Sequence, residues 1–277
     1  MKDREEQRMK EELIALGTGH AVVTKCYNTC FAIKNEKGEY FLVDTGGGSG
    51  ILVQLEKAGI KIPEIHHVFL THGHTDHLTG LIWLVRLIAA MMNGGKYEGN
   101  FCIYGHDMLM KQAEDLMRVM FQDAECKHIG KRILFITVED GEEKEILGHK
   151  FCFFDIQSTK LKQFGFKAVL QSGKTVTCCG DEPFNEYCRP HAEGSDWLLH
   201  EAFCLYDQRD IFKPYEKHHS TAKDACELAA DLGVKNVVLW HTEDKNIKKR
   251  KSLYKKEGRK YFKGGIYVPY DLERIEL

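Results

Sequence analysis

The chain has 277 residues, of which 43% are hydrophobic and 29% charged, and its formal net charge at pH 7 is −2. This composition is typical of a globular protein with a sizeable core. A net charge so close to zero does not favour a general attraction to nucleic acid or to anionic membranes. No Ser/Pro-rich linker or low-complexity segment interrupts the sequence. We therefore expect a single domain over residues 1–277.

Targeting signals and cysteine spacing favour the cytoplasm. The charged N-terminal segment 1–6 lacks the apolar core of a signal peptide. The longest apolar stretch, 78–92, is shorter than the roughly 18 residues needed to span a bilayer, so we expect no membrane association. The ten cysteines form no CxxC pair, which argues against a structural zinc ribbon. Free thiols without a signal peptide predict a cytoplasmic location.

Hydrophobic periodicity and turn residues predict the following elements in chain order. The charge-rich first twelve residues predict a frayed end or a short helix. The pattern then predicts strands at 21–25, 30–34 and 40–43, a helix at 49–58, a strand at 67–71, a helix at 77–92, a strand at 101–104 and a helix at 107–121. It continues with strands at 132–138, 150–156, 167–171, 175–179 and 197–200, a helix at 220–232, a strand at 237–240, a basic helical stretch at 248–263 and a strand at 266–268. This order predicts two β-rich halves packed sheet against sheet with helices outside, which is an α/β fold with four αββα layers.

The highest density of chemically active side chains lies in segment 71–77, THGHTDH, directly after an apolar run. Alternate residues of an extended segment point the same way, so His72 and His74 can share one ligand point. Asp76 and His77 fall at the turn into the next helix and can face a second point. Imidazole and carboxylate are ligands of zinc, manganese and iron. The segment therefore predicts a metal site, against the alternative of a polar loop with chance histidines.

Other predicted strands end in residues of the same chemistry. The strand at 175–179 leads into Gly180 and Asp181, the strand at 237–240 leads into His241, and the strand at 197–200 leads into Glu201. One polar strand end is weak support for a site. Several in one chain, together with segment 71–77, indicate that these ends gather at one edge of the sheets.

The HxHxDH pattern of 72–77 is identified as the signature of the metallo-β-lactamase superfamily. The segments Asp44-Thr45-Gly46 and Gly180-Asp181 and the residue His241 resemble further motifs of that superfamily, in the expected order. Segments 16–19, 200–203 and 219–222 are similar to motifs of the ribonuclease Z family, which trims the 3′ end of transfer RNA precursors. The resemblance spans roughly residues 16–268. It implies a metal-dependent hydrolase with a phosphodiester substrate such as RNA, and one or two Zn²⁺ ions, with Mn²⁺ or Fe²⁺ as alternatives.

The resemblance also implies a role for each matching residue. The implied metal ligands are His72 and His74 for a first metal, Asp76, His77 and His241 for a second, and Asp181 as a bridge between them. Asp44 would orient a ligand from behind it. The implied catalytic residues are Asp76, which would orient the nucleophilic water, and Glu201 and His219, which would deliver a proton to the leaving group.

The chain departs from the family pattern in two places. A third histidine of the first metal is expected six residues before Gly165-Phe166, where this chain has Thr159. His128, His149 and His191 are conceivable substitutes. The Gly/Pro-rich arm that grips transfer RNA in many ribonuclease Z proteins has no counterpart between Phe166 and Gly180. The basic run 245–263 could contact phosphates instead, or could be a solvated helix face.

Two further functions remain open from the sequence. One is hydrolysis of a small ester, lactone or cyclic nucleotide on the same fold. The other is a non-catalytic protein with a degenerate metal site, which the threonine at position 159 keeps open. The oligomeric state is also open, with a homodimer among the allowed assemblies.

Overall fold

The computed structural model describes residues 10–277, and their strands form two seven-stranded sheets. In chain order the strands are β1 Glu12–Gly17, β2 Cys30–Lys34, β3 Tyr40–Val43, β4 Ile65–Phe69, β5 Phe101–Gly105, β6 Ile133–Thr137, β7 Glu143–Ile146, β8 His149–Asp155, β9 Phe164–Val169, β10 Thr175–Cys178, β11 Trp197–Glu201, β12 Asn236–Trp240, β13 Gly265–Tyr267 and β14 Arg274–Glu276. The first sheet has the order β14-β1-β2-β3-β4-β5-β6. The second has the order β13-β12-β11-β10-β9-β8-β7.

Helices cover the outer face of each sheet. They are α1 Gly50–Ala58, α2 Thr75–Leu78, α3 Gly80–Asn93, α4 Asp107–Met120, α5 Asp123–Cys126, α6 Arg189–Ala192, α7 Arg209–Phe212, α8 Ala222–Asp231 and α9 Arg250–Gly258. Apolar residues of α1, α3 and α4 pack on the first sheet, and those of α8 pack on the second. The four-layer αββα arrangement predicted from the sequence is confirmed.

Aromatic side chains fill the space between the two sheets. Phe41 and Phe69 of the first sheet meet Phe151, Phe153 and Phe166 of the second. The rings of Phe41 and Phe151 lie 4.3 Å apart between centroids. Because each such pair contributes about 0.5–1.5 kcal/mol beyond its buried area, this layer fixes how the sheets sit on each other.

Parallel pairing explains why the polar strand ends meet. Strands β3, β4 and β5 run parallel in the first sheet, and β10, β11 and β12 run parallel in the second. Parallel strands end at the same edge of a sheet, and in open α/β sheets ligands bind outside that edge. The loops after β3, β4, β10 and β12 are the ones that carry Asp44, segment 71–77, Asp181 and His241.

The predicted elements agree with the structure wherever the local pattern was strong. The hairpin at 30–34 and 40–43 is confirmed as β2 and β3, and the helix at 107–121 is confirmed as α4. The strand predicted at 21–25 is wrong: this segment turns, because Asp244 accepts the amide hydrogens of Thr24 and Lys25. Of the predicted N-terminal helix or frayed end, residues 1–9 lie outside the described residues, and β1 begins at Glu12.

The segment Thr75–Asn93 is long and apolar enough, by length and composition alone, to cross a membrane. The sequence predicted no membrane-spanning stretch, because the longest apolar stretch covers only residues 78–92. Of the apolar 18-residue window within this segment, 56% is buried inside the structure. Leu81, Leu84, Val85 and Ile88 lie in the core against the first sheet, so packing accounts for the hydropathy of this helix.

One buried arginine ties the loops near the site together. Arg250, at the start of α9, is completely buried. Its guanidinium donates to the Thr242 hydroxyl at 2.7 Å, to the Thr18 hydroxyl at 2.8 Å and to the Pro269 carbonyl at 2.6 Å. Thr242 follows His241 directly, so this network holds the loop after β12. The basic run 245–263 therefore includes one basic residue, Arg250, that is buried and cannot contact phosphates.

We expect Arg250→Met to lower the free energy of unfolding by about 2–4 kcal/mol, because buried oxygen acceptors lose their donors. Urea denaturation of both proteins would measure the change. Arg118→Met is the matched control, since Arg118 forms an exposed i,i+4 pair with Glu114, and such pairs contribute less than about 1 kcal/mol. Equal stability losses in the two variants would contradict the structural role of Arg250.

Candidate metal centre

The first group of ligand atoms is formed by His72, His74 and Asp181. His72 and His74 lie on the extended segment after β4, and His74 is the residue that precedes α2. His72 Nε2 lies 2.9 Å from His74 Nδ1 and 3.7 Å from Asp181 Oδ2. One ligand atom from each of these three residues lies within 4.8 Å of the others. The alternation predicted from the sequence thus brings both imidazoles to one point.

The second group is formed by Asp76, His77 and His241, which lie equally close together. Asp76 Oδ2 lies 3.4 Å from His77 Nε2 and 3.5 Å from His241 Nε2. Asp181 Oδ2 lies 3.3 Å from His77 Nε2 and 3.4 Å from His241 Nε2. The same oxygen of Asp181 therefore faces both groups and can bridge two metals.

Asp44 sets the protonation of two of these histidines. Its Oδ2 lies 2.7 Å from His77 Nδ1 and also accepts the Thr71 hydroxyl hydrogen at 2.8 Å. A carboxylate only accepts, so His77 carries a proton on Nδ1 and turns Nε2 toward the site. Because the Thr71 hydroxyl is donated to Asp44, its oxygen accepts from His72 Nδ1 at 2.8 Å. Both rings thus turn Nε2 toward the site. Burial lowers the pKa of His77, but the facing carboxylates, Asp44 foremost, outweigh it and raise that pKa well above its usual value. A metal bound there would therefore displace a proton from His77 Nε2.

Backbone conformation aims two of the site residues. Asp44 and His241 both have a φ of 54°, in the left-handed region that non-glycine residues rarely adopt. Such strained residues concentrate at functional sites, where the surrounding structure holds them. In Asp44 this turn directs the carboxylate to Thr71 and His77.

Gln163 holds Asp181 in place, and nothing in the sequence pattern pointed to it. Its side-chain amide donates to Asp181 Oδ1 at 2.9 Å and its oxygen accepts from the Asp181 backbone N–H at 2.8 Å. Gln163 is completely buried. Gly180, the residue before Asp181, must be glycine. Its φ is 78°, and a Cβ at this position would lie 2.0 Å from the Gln163 side-chain oxygen. One oxygen of Asp181 is thereby fixed and the other left for the site.

Burial and charge make these side chains suitable for metals. Burial lowers the pKa of His72 well below its usual value and lowers the pKa of His241 to about 3, so both rings stay neutral. For Asp181, burial raises the pKa, but the neighbouring imidazoles outweigh it and hold that pKa well below the usual range. Within the described chain, residues 10–277, His77 Nε2 and His241 Nε2 are buried and find no hydrogen-bond partner. Buried polar atoms left unpaired are costly, and a divalent cation at this point would satisfy them.

A cavity of about 390 Å³ opens onto both groups of ligand atoms. His219 lies on its wall, with Nδ1 at 3.6 Å from Glu201 Oε2. The other Glu201 oxygen accepts the backbone N–H of Ser220, and the Phe203 ring stacks on His219 with centroids 4.9 Å apart. Burial by itself would lower the pKa of His219, but the Glu201 carboxylate raises it above its usual value. His219 is therefore held as a proton donor facing the cavity.

The structure brings together all the site residues inferred from the sequence. It places Thr159 and the three histidines considered as substitute ligands away from them. Metal ligands, Asp44, Glu201 and His219 lie around one cavity or directly behind its wall. Thr159 instead lines a neighbouring cavity with Glu182 and His218, which gives no support to a ligand at that position. The three conceivable substitutes are engaged elsewhere: His128 with Asn93, His149 with Glu11 and His191 against Phe154.

Comparison with known proteins agrees with this geometry. A family model described as beta-lactamase superfamily domain matches residues 39–242. Two similar curated proteins are named ribonuclease Z. The one from Azobacteroides pseudotrichonymphae genomovar. CFP2 is 26% identical, covering 83% of this chain and 87% of that protein. The one from Parabacteroides distasonis is 24% identical, covering 91% and 94%.

Solved structures share the fold over nearly the whole chain. The metallo-beta-lactamase fold protein YhfI from Bacillus subtilis superposes with a TM-score of 0.78 at 18% identity, covering 97% of this chain and 100% of that one. Human tRNase Z, short form, superposes with a TM-score of 0.68 at 21% identity, covering 95% of this chain and 98% of that one. Zn²⁺-bound PqqB from Methylobacterium extorquens superposes with a TM-score of 0.73 at 15% identity, covering 96% of this chain and 100% of that one.

We expect Gln163→Leu to weaken metal affinity by about 10–100-fold, because residues that orient a metal ligand typically contribute that much. Competition with a chromophoric chelator would measure it. Gln122→Leu, at an exposed position, should leave the affinity unchanged, and Asp181→Ala should abolish stable metal binding, since Asp181 faces both groups. Wild-type affinity in a folded Gln163→Leu protein would show that Asp181 needs no support.

Proposed function

Because the chain belongs to the beta-lactamase superfamily, we propose that it is a metal-dependent hydrolase of phosphodiesters, similar to ribonuclease Z. One observation carries the proposal: two groups of metal-ligating atoms share Asp181 and open, with the Glu201–His219 pair, onto a single cavity. The names of the relatives support the substrate class, since curated proteins similar over more than four fifths of the chain are called ribonuclease Z.

Each residue of the cavity has a part in this reaction. The chemistry that divalent metals supply in such a site is Lewis acidity, which lowers the pKa of a water molecule and stabilises charge on phosphate oxygens. Asp76 lies beside His77 and His241 and can orient the attacking water through its carboxylate. His219 donates a proton to the leaving oxygen, and Glu201 behind it stabilises the protonated ring.

We further propose Zn²⁺ as the metal, with the second group of ligands as the tighter site. The four imidazoles and two carboxylates of the two groups suit zinc, although manganese and iron bind the same ligands. The second group has Asp76, His77 and His241, and Asp181 makes four. The first group has only His72, His74 and Asp181.

The ten free cysteines support a reducing compartment, and we propose the cytoplasm.

Titration of metal-free protein with Zn²⁺ should therefore show one tight site and one weaker site, differing by at least about tenfold in affinity. His241→Ala should remove the tight site, whereas His74→Ala should remove the weak one and leave about one metal per chain. Elemental analysis after dialysis would count the retained ions. Two equally tight ions would contradict the ranking of the two groups.

The substrate should be a small or flexible phosphodiester. In the place of the long arm of many ribonuclease Z proteins, this chain connects β9 to β10 by the short turn 170–174. We infer that a folded transfer RNA precursor would be held only by contacts near the cavity. Comparing hydrolysis of bis-p-nitrophenyl phosphate, short single-stranded RNA and precursor transfer RNA tests this. Hydrolysis of a neutral ester or lactone without any phosphodiester cleavage would overturn the proposed substrate class.

We expect His219→Ala to slow phosphodiester hydrolysis about 100-fold or more while retaining the metal, because it removes the proton donor. The wild-type rate should fall as the pH rises through the raised pKa of His219, since only the protonated ring can donate. This limb of the pH profile should disappear in the variant. His218→Ala, next to it on a turn outside the metal cavity, is the control. An unchanged rate in His219→Ala would contradict the assignment.

A further inference from the structure

A lysine lines the same cavity as the metal ligands. Lys160 lies on the loop between β8 and β9, and it lines the cavity together with Asp76, Asp181, His219 and His241. This loop is where the family pattern led us to expect a metal-ligating histidine. In this chain Thr159 lines the neighbouring cavity, whereas Lys160, the next residue, lines the metal cavity.

The charge of Lys160 is not neutralised by the part of the chain that the structure describes. Among residues 10–277, no carboxylate oxygen lies within 4.0 Å of its Nζ. With these residues Lys160 Nζ makes one hydrogen bond, of 2.6 Å, to the backbone carbonyl of Lys217. An ammonium group has three hydrogens to donate, so two remain for a ligand. Lys162, two residues further on the same loop, differs: its Nζ lies 2.8 Å from Asp107 Oδ1.

A second cation lies at the same rim. Lys217 Nζ is 5.0 Å from the centroid of the Phe203 ring, and it has no carboxylate partner among the described residues. The Phe203 ring in turn contacts His20 at 4.7 Å and stacks on His219. His20 and His219 both line the cavity, so the charge of Lys217 lies close behind its wall. The neighbouring lysine Lys213, by contrast, is paired with Glu216.

We propose that Lys160, assisted by Lys217, binds an anionic phosphate oxygen of the substrate at the mouth of the cavity. The inference rests on the proposed phosphodiesterase function and identifies which residues recognise the negative charge. Two unpaired ammonium groups beside a catalytic cavity give no advantage with a neutral ester or lactone. For a phosphodiester, Lys160 supplies charge-assisted hydrogen bonds to a phosphate oxygen, and Lys217 adds positive charge from behind the wall. Lysine is a common phosphate-binding residue.

The alternative is that Lys160 acts only as a structural tie. Its hydrogen bond to the Lys217 carbonyl fastens segment 215–219, which carries His219. The two roles predict different kinetics. A substrate contact made in the ground state changes KM, whereas displacement of His219 changes kcat and the pH profile.

Three variants separate the roles. Lys160→Gln keeps a hydrogen-bond donor for the Lys217 carbonyl and removes the charge, Lys160→Arg keeps the charge, and Lys162→Gln is the matched control on the same loop. With bis-p-nitrophenyl phosphate we expect Lys160→Gln to raise KM by about tenfold with kcat within a factor of about three. Lys160→Arg should recover most of this loss, and Lys162→Gln should match the wild type. Lys217→Gln should raise KM less, and its effect should add to that of Lys160→Gln.

A binding measurement makes the test independent of turnover. Calorimetric titration of the zinc-loaded proteins with inorganic phosphate should show affinity weakened by about the same factor in Lys160→Gln and unchanged in Lys162→Gln. If the wild type cleaves no phosphodiester, the proposed function fails, and the phosphate titration alone decides the role of the lysines. Equal phosphate affinity and equal KM in Lys160→Gln and the wild type would overturn the inference, as would a loss confined to kcat.

Discussion

The arrangement of the site depends on the buried carboxylate of Asp44. It accepts the backbone N–H of Thr71 at 2.8 Å, the Thr71 hydroxyl at 2.8 Å and His77 Nδ1 at 2.7 Å. Through Thr71 it fixes the tautomer of His72 in the first group, and directly it fixes His77 in the second. Each buried group would cost about 1–3 kcal/mol if left unpaired, so the loops after β3 and β4 are locked to each other. The ligands are therefore oriented by the protein before any metal binds.

Asp44, His72, His74, Asp76 and His77 come from the first sheet, whereas Asp181, Glu201 and His241 come from the second. Both groups of ligand atoms therefore combine residues from the two sheets, and their distances follow from how the sheets pack. The aromatic layer between the sheets sets that packing, and Gln163 and Arg250 fix the loops of the second sheet. A metal that bridges the sheets would bind only the folded chain, so metal binding should also stabilise the fold.

The sequence predicted those parts of the fold and site whose signal is local. The hairpin of β2 and β3, helix α4 and the alternation of His72 and His74 all follow from patterns within a few residues. Strand β14 escaped prediction because it pairs with β1 from the far end of the chain. Gln163 escaped prediction for a similar reason, since its role depends on lying beside Asp181 across the β9–β10 hairpin. The strand predicted at 21–25 was wrong because the carboxylate of Asp244, distant in sequence, accepts backbone N–H groups of this segment and holds it in a turn.

The charges of the cavity explain why a lysine is tolerated next to the position where the family pattern led us to expect a ligand. Asp76, Asp181 and Glu201 are buried carboxylates around or behind one wall, and metals with His219 can neutralise them from within. Charge interactions over several ångströms are weak at a solvated rim and strong in the interior. An ammonium at the rim therefore competes little with metals bound in the interior, but it adds to the positive potential met by an anion entering the cavity. Fewer metal ligands on one side and uncompensated lysines at the mouth together shift part of substrate recognition from the metals to the protein.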